Sequence, residues 1–172
     1  RQVPVTFIIS DRAQLKFLPP DAEYVELHAP TSVKEPLSAL WLNKFHPDVV
    51  VSTLQTIGSV GRKFKMVLNQ QDMTYYKHAS PPPQFSAAVR ATWWLYHATY
   101  MPGRLVLRGA DLVATVSETS KQEISAANLT NKPIVVVPNA ARDLSELLPS
   151  APYVLNKPKN LVYMGAFIPY KN

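Results

Sequence analysis

Cysteine is absent from this chain. Neither a disulfide framework nor a thiolate metal site can be built from it, which is compatible with a reducing cytoplasm. Glycine is scarce, at 5 residues in 172, so collagen-like and other glycine-repeat designs are excluded. Charged residues reach only 17% against 47% apolar, which excludes a disordered or acidic-tail chain and leaves enough apolar material for one core. No apolar run approaches the roughly 20 residues that span a bilayer, and no signal peptide is visible at the start. The expectation is a cytoplasmic protein.

Proline is what the chain has in excess, with 16 residues against the roughly 5% typical of proteins. Each proline removes a donor and clashes inside a helix, so short elements joined by Pro-bearing loops are expected rather than a helical bundle. The net charge is +6. Nucleic acid, an anionic membrane surface and phosphate-bearing substrates all suit a basic chain. The basic residues are dispersed, with Arg62-Lys63-Phe64-Lys65 the only dense cluster. No nucleic-acid motif accompanies them, so no nucleic-acid partner is expected. The basic balance and aromatics such as Tyr75 and Tyr76, expected on the surface, point to peripheral contact with an anionic membrane. The four histidines (His28, His46, His78, His97) are scattered without carboxylates at ligand spacing, so no metal site is expected. His97, within Trp93-Trp94-Leu95-Tyr96, reads as a core or helix-face residue.

Along the chain, Val5 to Ile9 is a β-branched run of the kind buried on both faces, and Tyr24 to His28 alternates like a more exposed strand. The spacing of Leu37, Leu40 and Trp41 behind Pro36 predicts a helix over 36–45. Strands follow at 49–53 and 64–69. Ser80 to Gln84, with three consecutive prolines, is a loop. A helix is expected over 85–100, kinked or restarted at Pro102-Gly103 before Leu105 to Ala110. Leu112 to Val116 is a strand running straight into a helix, where Ser120-Lys121-Gln122-Glu123 has capping-box spacing. Pro133 to Val137 is the next strand, 141–159 reads as a polar interdomain linker, and 160–172 starts a new strand and turn. Alternating strands and helices imply an α/β protein with a mostly parallel sheet, whose ligands sit beyond the carboxyl ends of the strands.

Four strand ends carry residues suited to binding. Asn69-Gln70-Gln71-Asp72 offers amides and a carboxylate to the hydroxyls of a sugar or polyol, although Asp72 could equally cap a turn. Ser117 opens a helix whose N–H groups and dipole favour anions. Pro138-Asn139 stops a strand, and Asn tolerates a left-handed turn. Gly165 allows close backbone approach to a ligand, and Lys171 could meet phosphate.

In this order the four motifs resemble the GT-B glycosyltransferases, specifically the large retaining glycosyltransferase family 4. Asp111, Val113, Val116, Ser117, Pro138, Asn139, Gly165, Pro169, Lys171 and Asn172 stand at that family's motif positions, and Pro47-Asp48-Val49-Val50 resembles an earlier strand. The resemblance implies a Rossmann-like, acceptor-side domain over 1–140, a linker over 141–159 and the first strand and turn of a donor-binding domain over 160–172. It implies a nucleotide-sugar donor as substrate with no cofactor or bound metal, and a glycan, lipid or small-molecule acceptor. Gln71, Asp72 and Ser117 would face the acceptor or transferred sugar. Gly165 and Lys171 would serve the donor diphosphate, and Pro138 and Asn139 would form a structural turn. No catalytic residue is assigned. The family's first strand, with its Gly-rich loop, would precede Val5 near the middle of the sheet, and its Glu-bearing donor site would lie beyond Asn172, so the sequence reads as an inactive fragment. Gln71 stands where many relatives carry His, Ala140 where they carry Gly, and Ala166 where one branch carries Arg. A non-catalytic GT-B-like scaffold, a GT-B-fold sugar-nucleotide epimerase and a flavodoxin-like domain are the competing readings.

Overall fold

A computed structural model describes residues 3–30, 32–54, 57–81 and 85–140. The chain divides into two units, Arg1–Pro138 and Asn139–Asn172. Only Asn139 and Ala140 of the second are described, so the expected linker, the strand over 160–172, Gly165 and Lys171 lie outside the described residues.

The first unit is α/β with parallel strands throughout, as the alternating pattern implies. Strands β1 (Thr6–Ile9) and β2 (Glu23–Glu26) pair in parallel, with Thr6 opposite Glu23. Strands β3 (Val49–Ser52), β4 (Lys65–Asn69), β5 (Leu112–Thr115) and β6 (Ile134–Val136) form a second parallel sheet in that order. The α/β class and the parallel sense are as expected, and among the described residues the strands fall into two sheets. Among the described residues β1 and β3 each have one paired edge and one free edge.

Local chemistry explains most boundaries. A 3-10 segment, Arg12–Phe17, follows β1 and was not legible as a helix. Asp11 accepts from Ala13 N–H, and the Gln14 side chain reaches back to the Asp11 N–H to complete a capping box. The helix expected over 36–45 is half α-helix and half 3-10. Its α-helical part, α1, is Ser38–Leu42, flanked by single 3-10 turns at Glu35–Leu37 and Asn43–Phe45. A short α2 (Thr74–Lys77), also unforeseen, precedes α3 (Ala87–Thr99), whose Ser86 cap accepts from Val89 N–H. Tyr100, at φ 57°, breaks the chain between α3 and α4 (Met101–Arg108). The break falls before Pro102, which fits the first turn of α4, where no backbone donor is needed. Helix α5 (Glu118–Ala126) starts one turn earlier than the Ser120 motif suggests. Ser117 is its cap and accepts from Ser120 N–H at 3.1 Å, so Ser120 lies within the first turn.

The core lies on the four-stranded side. Met66, Leu68 and Val113 from the central strands pack with Leu42 of α1, Leu107 of α4, Ile124 of α5 and Leu129. Each is buried almost completely, worth about 1.5–3 kcal/mol per large side chain relative to exposure. Gly103 sits where an added Cβ would run into the Tyr76 ring and hydroxyl, so α4 can approach α2 only without a side chain there. His28 ties the end of β2 to α1: Nδ1 lies 3.2 Å from Glu35 Oε2 and Nε2 lies 3.2 Å from Ser38 Oγ.

Candidate functional site

Because β3 to β6 are parallel, their carboxyl ends open on one side, and that is where an open α/β sheet binds its ligands. Gln70 to Asp72 after β4, Val116 and Ser117 after β5, and Val137 and Pro138 after β6 gather there.

Three backbone links hold these ends in register. Gln70 N–H donates to the Ala114 carbonyl at 2.9 Å, Val137 N–H donates to the Thr115 carbonyl at 2.7 Å, and Thr115 Oγ1 donates to the Gln71 carbonyl at 3.1 Å. Thr115 is fully buried, so this last bond is shielded from water and fixes the Gln71 backbone.

Within that frame the residues singled out by sequence behave differently from one another. Gln71 is exposed, leaving its amide free to meet a polar ligand. Asp72 is exposed too, but Oδ1 accepts from Thr74 N–H at 2.8 Å; it makes the turn into α2. Ser117 likewise spends its hydroxyl on the Ser120 N–H and on Ser120 Oγ, the latter at 3.0 Å. Pro138 follows β6 in extended chain. Neither Asn139 nor Ala140 has positive φ.

Gln70 is the residue that the sequence reading undervalued. Met66, Leu68 and Gln70 share one face of β4 and all three are buried, Gln70 at 5% exposure. The period-2 pattern of the strand, carried one step past its end, would have found it. Its Nε2 donates to the Asp72 carbonyl at 2.6 Å, which fixes the amide orientation, while Oε1 meets no donor among the described residues. A buried acceptor with spare capacity at a strand end suits a ligand hydroxyl.

The motif residue Asp111 lies at the other end of the sheet. Its Oδ2 accepts from Met66 N–H at 2.8 Å and pairs with Arg62 at 2.7 Å, while Oδ1 faces Lys65 at 3.6 Å. Its carboxyl is held below the usual range, first by the Met66 N–H bond and then, against some desolvation, by Arg62 and Lys65. The dense basic cluster is thus partly consumed in clamping β4 to β5. A hollow of about 240 Å3 lined by His46, Asp48 and Lys63 also lies at this amino end, away from the strand ends that carry Gln70 and Gln71.

His97 is buried among Tyr75, Tyr76, Trp93 and Tyr96, as expected of a core residue. Its Nδ1 faces the Trp93 carbonyl at 2.8 Å. Burial lowers its pKa, and the Trp93 bond opposes the shift. Tyr76 is itself in the core rather than on the surface, and only Tyr75 of the pair is exposed. No described helix is long and apolar enough to cross a membrane.

A family model described as Glycosyltransferase Family 4 matches residues 17–142, well over half of the chain and every strand from β2 to β6. No curated protein and no solved structure matches. The matched span includes every described strand end considered above, and with it the chain belongs to glycosyltransferase family 4, of the GT-B type.

Proposed function

We propose that the chain is the acceptor-side half of a retaining glycosyltransferase, moving a sugar from a nucleotide-sugar donor to a glycan, lipid or small-molecule acceptor in the cytoplasm. The observation that supports this reading is the family match over 17–142, taken with the position of Gln70, Gln71 and Asp72 just past the end of β4. Gln71 supplies an exposed amide that donates to and accepts from sugar hydroxyls. Gln70 supplies a buried acceptor behind it. Neither titrates, so these two amides orient a substrate and do not move protons. Asp72 fixes the loop that carries them and keeps one carboxylate oxygen for a ligand. Lys171 stabilises charge developing on the departing diphosphate, and Gly165 lets the backbone approach it. The nucleotide-sugar is a substrate, and no cofactor is required.

The test uses the full gene product against a panel of nucleotide-sugars, read by thermal shift and donor hydrolysis. One nucleotide-sugar should stabilise the protein. Lys171→Ala should abolish that stabilisation and lower kcat by about two orders of magnitude, the usual cost of losing one preorganised charge-stabilising group. A second reading, a non-catalytic GT-B-like scaffold, is favoured by one observation: Asp72 and Ser117 both spend side-chain oxygens on backbone donors. Absence of stabilisation by every nucleotide-sugar would select it.

A further inference from the structure

Helices α3 and α4 expose apolar side chains where a soluble protein ordinarily places charge. On α3 the exposed positions 87, 88, 91, 94, 95 and 98 form one apolar stripe at helical spacing, four alanines with Trp94 and Leu95 at 55% and 56% exposure, and exposed Val89, Arg90, Thr92 and Thr99 lie outside it. The opposite face, with Trp93, Tyr96 and His97, packs inward. On α4 the exposed stripe is Met101, Leu105 and Arg108, against buried Gly103 and Leu107. Adjacent exposed Trp94 and Leu95 on α3, with Met101 and Leu105 one turn apart on α4, are a docking signature rather than a solvated face.

Charge narrows the choice of partner. From residue 73 to residue 110 there is no Asp or Glu, while Lys77, Arg90, Arg104 and Arg108 fall in the same stretch. Lys77 pairs with Glu123, and Arg104 donates to the carbonyls of Ala127 and Asn128. Arg90 and Arg108 form no ion pair among the described residues. Arg108 lines, with Arg104, Asn128 and Asn131, a hollow of about 150 Å3, room for a phosphate group. A two-fold contact between copies would set the same patch against itself and bring arginines together with no carboxylate to meet them. An anionic bilayer supplies both halves of the complement: negative headgroups for the arginines and an apolar boundary for Trp94, Leu95, Met101 and Leu105.

We infer that the outer faces of α3 and α4 form a peripheral docking surface for anionic lipid membranes. The two helices lie flat in the headgroup region, with Trp94 and Leu95 inserted and Arg90 and Arg108 at the phosphates. Neither helix is long enough to span, so the attachment is interfacial and weakened by salt.

The experiment is co-flotation of the chain with phosphatidylcholine vesicles, with and without phosphatidylglycerol. The chain should float with the anionic vesicles and stay behind with the neutral ones. Trp94→Ser/Leu95→Ser should lower partitioning by about tenfold or more, and Arg90→Glu/Arg108→Glu by roughly as much. All four side chains are exposed, so far-ultraviolet circular dichroism and the thermal unfolding midpoint should stay unchanged. Phe17→Ser, which removes an exposed apolar residue from the segment between β1 and β2, should leave flotation unaltered and exclude general stickiness. No flotation with anionic vesicles, or flotation untouched by both double variants, would overturn the inference. A lipid-free dimer that Trp94→Ser/Leu95→Ser dissolves would instead assign the face to a second copy.

Discussion

Strands β1 and β3 are written in nearly the same alphabet, Thr-Phe-Ile-Ile and Val-Val-Val-Ser, yet they end in different surroundings. β3 joins a four-stranded sheet covered by α1, α4 and α5, and its Val50 enters a core of fourteen buried apolar residues. β1 joins only β2, and the helical segment between them, Arg12–Phe17, buries none of its residues. Ile9 is the one buried hydrophobic residue of that pair, and it lies outside the core cluster. A β-branched apolar run specifies a strand. Burial comes from what packs over the strand, and the segments linking β1 to β2 supply very little.

The sharpest way to break this comparison is to cut the same kind of group from each region. Leu107→Ala, in the wholly buried face of α4, should cost about 3 kcal/mol because the close-packed surroundings relax only partly. Ile9→Ala should cost less than half of that, since a two-stranded sheet can collapse around the gap. Amide hydrogen exchange separates the two. Leu107→Ala should lower protection throughout β4 and β5, whereas Ile9→Ala should lower it in β1 and β2 alone. Equal losses in both regions after Ile9→Ala would show one cooperative unit and end the distinction.

The same contrast marks what the sequence could reveal. Strand positions, the parallel sense and the α/β class followed from apolar runs separated by helical spacing, and the family model agrees with the resemblance those strand ends carry. Which strands are neighbours is not written in the runs themselves, because a run such as Val5 to Ile9 reads the same whether one neighbour lies beside it or two. The two unforeseen helical segments were hidden for a local reason: Arg12–Phe17 is held by side-chain caps, and Thr74–Lys77 is a single turn too short for periodicity. At the candidate site, Gln71 and Asp72 were found as polar residues past a strand. Gln70 was named in the same motif but not singled out, because its burial depends on the face it inherits from Met66 and Leu68. The role of Asp111 was illegible for the opposite reason: its partners Arg62 and Met66 are distant in sequence.

Asp111 gives a prediction of intermediate size. Asp111→Asn keeps an acceptor for the Met66 N–H but loses the charge facing Arg62 and Lys65, at a cost of about 1 kcal/mol near neutral pH. The sign of the pH effect follows from the depressed carboxyl. A carboxyl held low in the folded state binds fewer protons there than in the unfolded chain. Its contribution is therefore present above the ordinary aspartate value of about 4 and is lost as pH falls through the lower, folded value. Urea unfolding should show the wild-type advantage over Asp111→Asn near neutrality and its disappearance in acid. An advantage that persists in acid would mean that packing, not charge, joins the amino ends of β4 and β5.

The smallest effect on stability concerns the free edge of β3. Val49 and Val51 are 53% and 66% exposed on a strand whose other edge pairs with β4, and an exposed apolar edge is a template for pairing with another chain. A lysine at position 51 would put charge on that edge without touching Val50 or the core behind it. Val51→Lys should therefore change unfolding free energy by no more than about 0.5 kcal/mol, the usual range for surface positions. It should nonetheless slow aggregation on heating, measured by light scattering, while Val33→Lys, at a position still more exposed but in no strand, should not. If both lysines slow it alike, net charge governs the solubility of this chain. If only Val51→Lys does, the open edge of β3 is where chains meet, and the four-stranded sheet is well packed through its core and vulnerable along the rim that β3 forms.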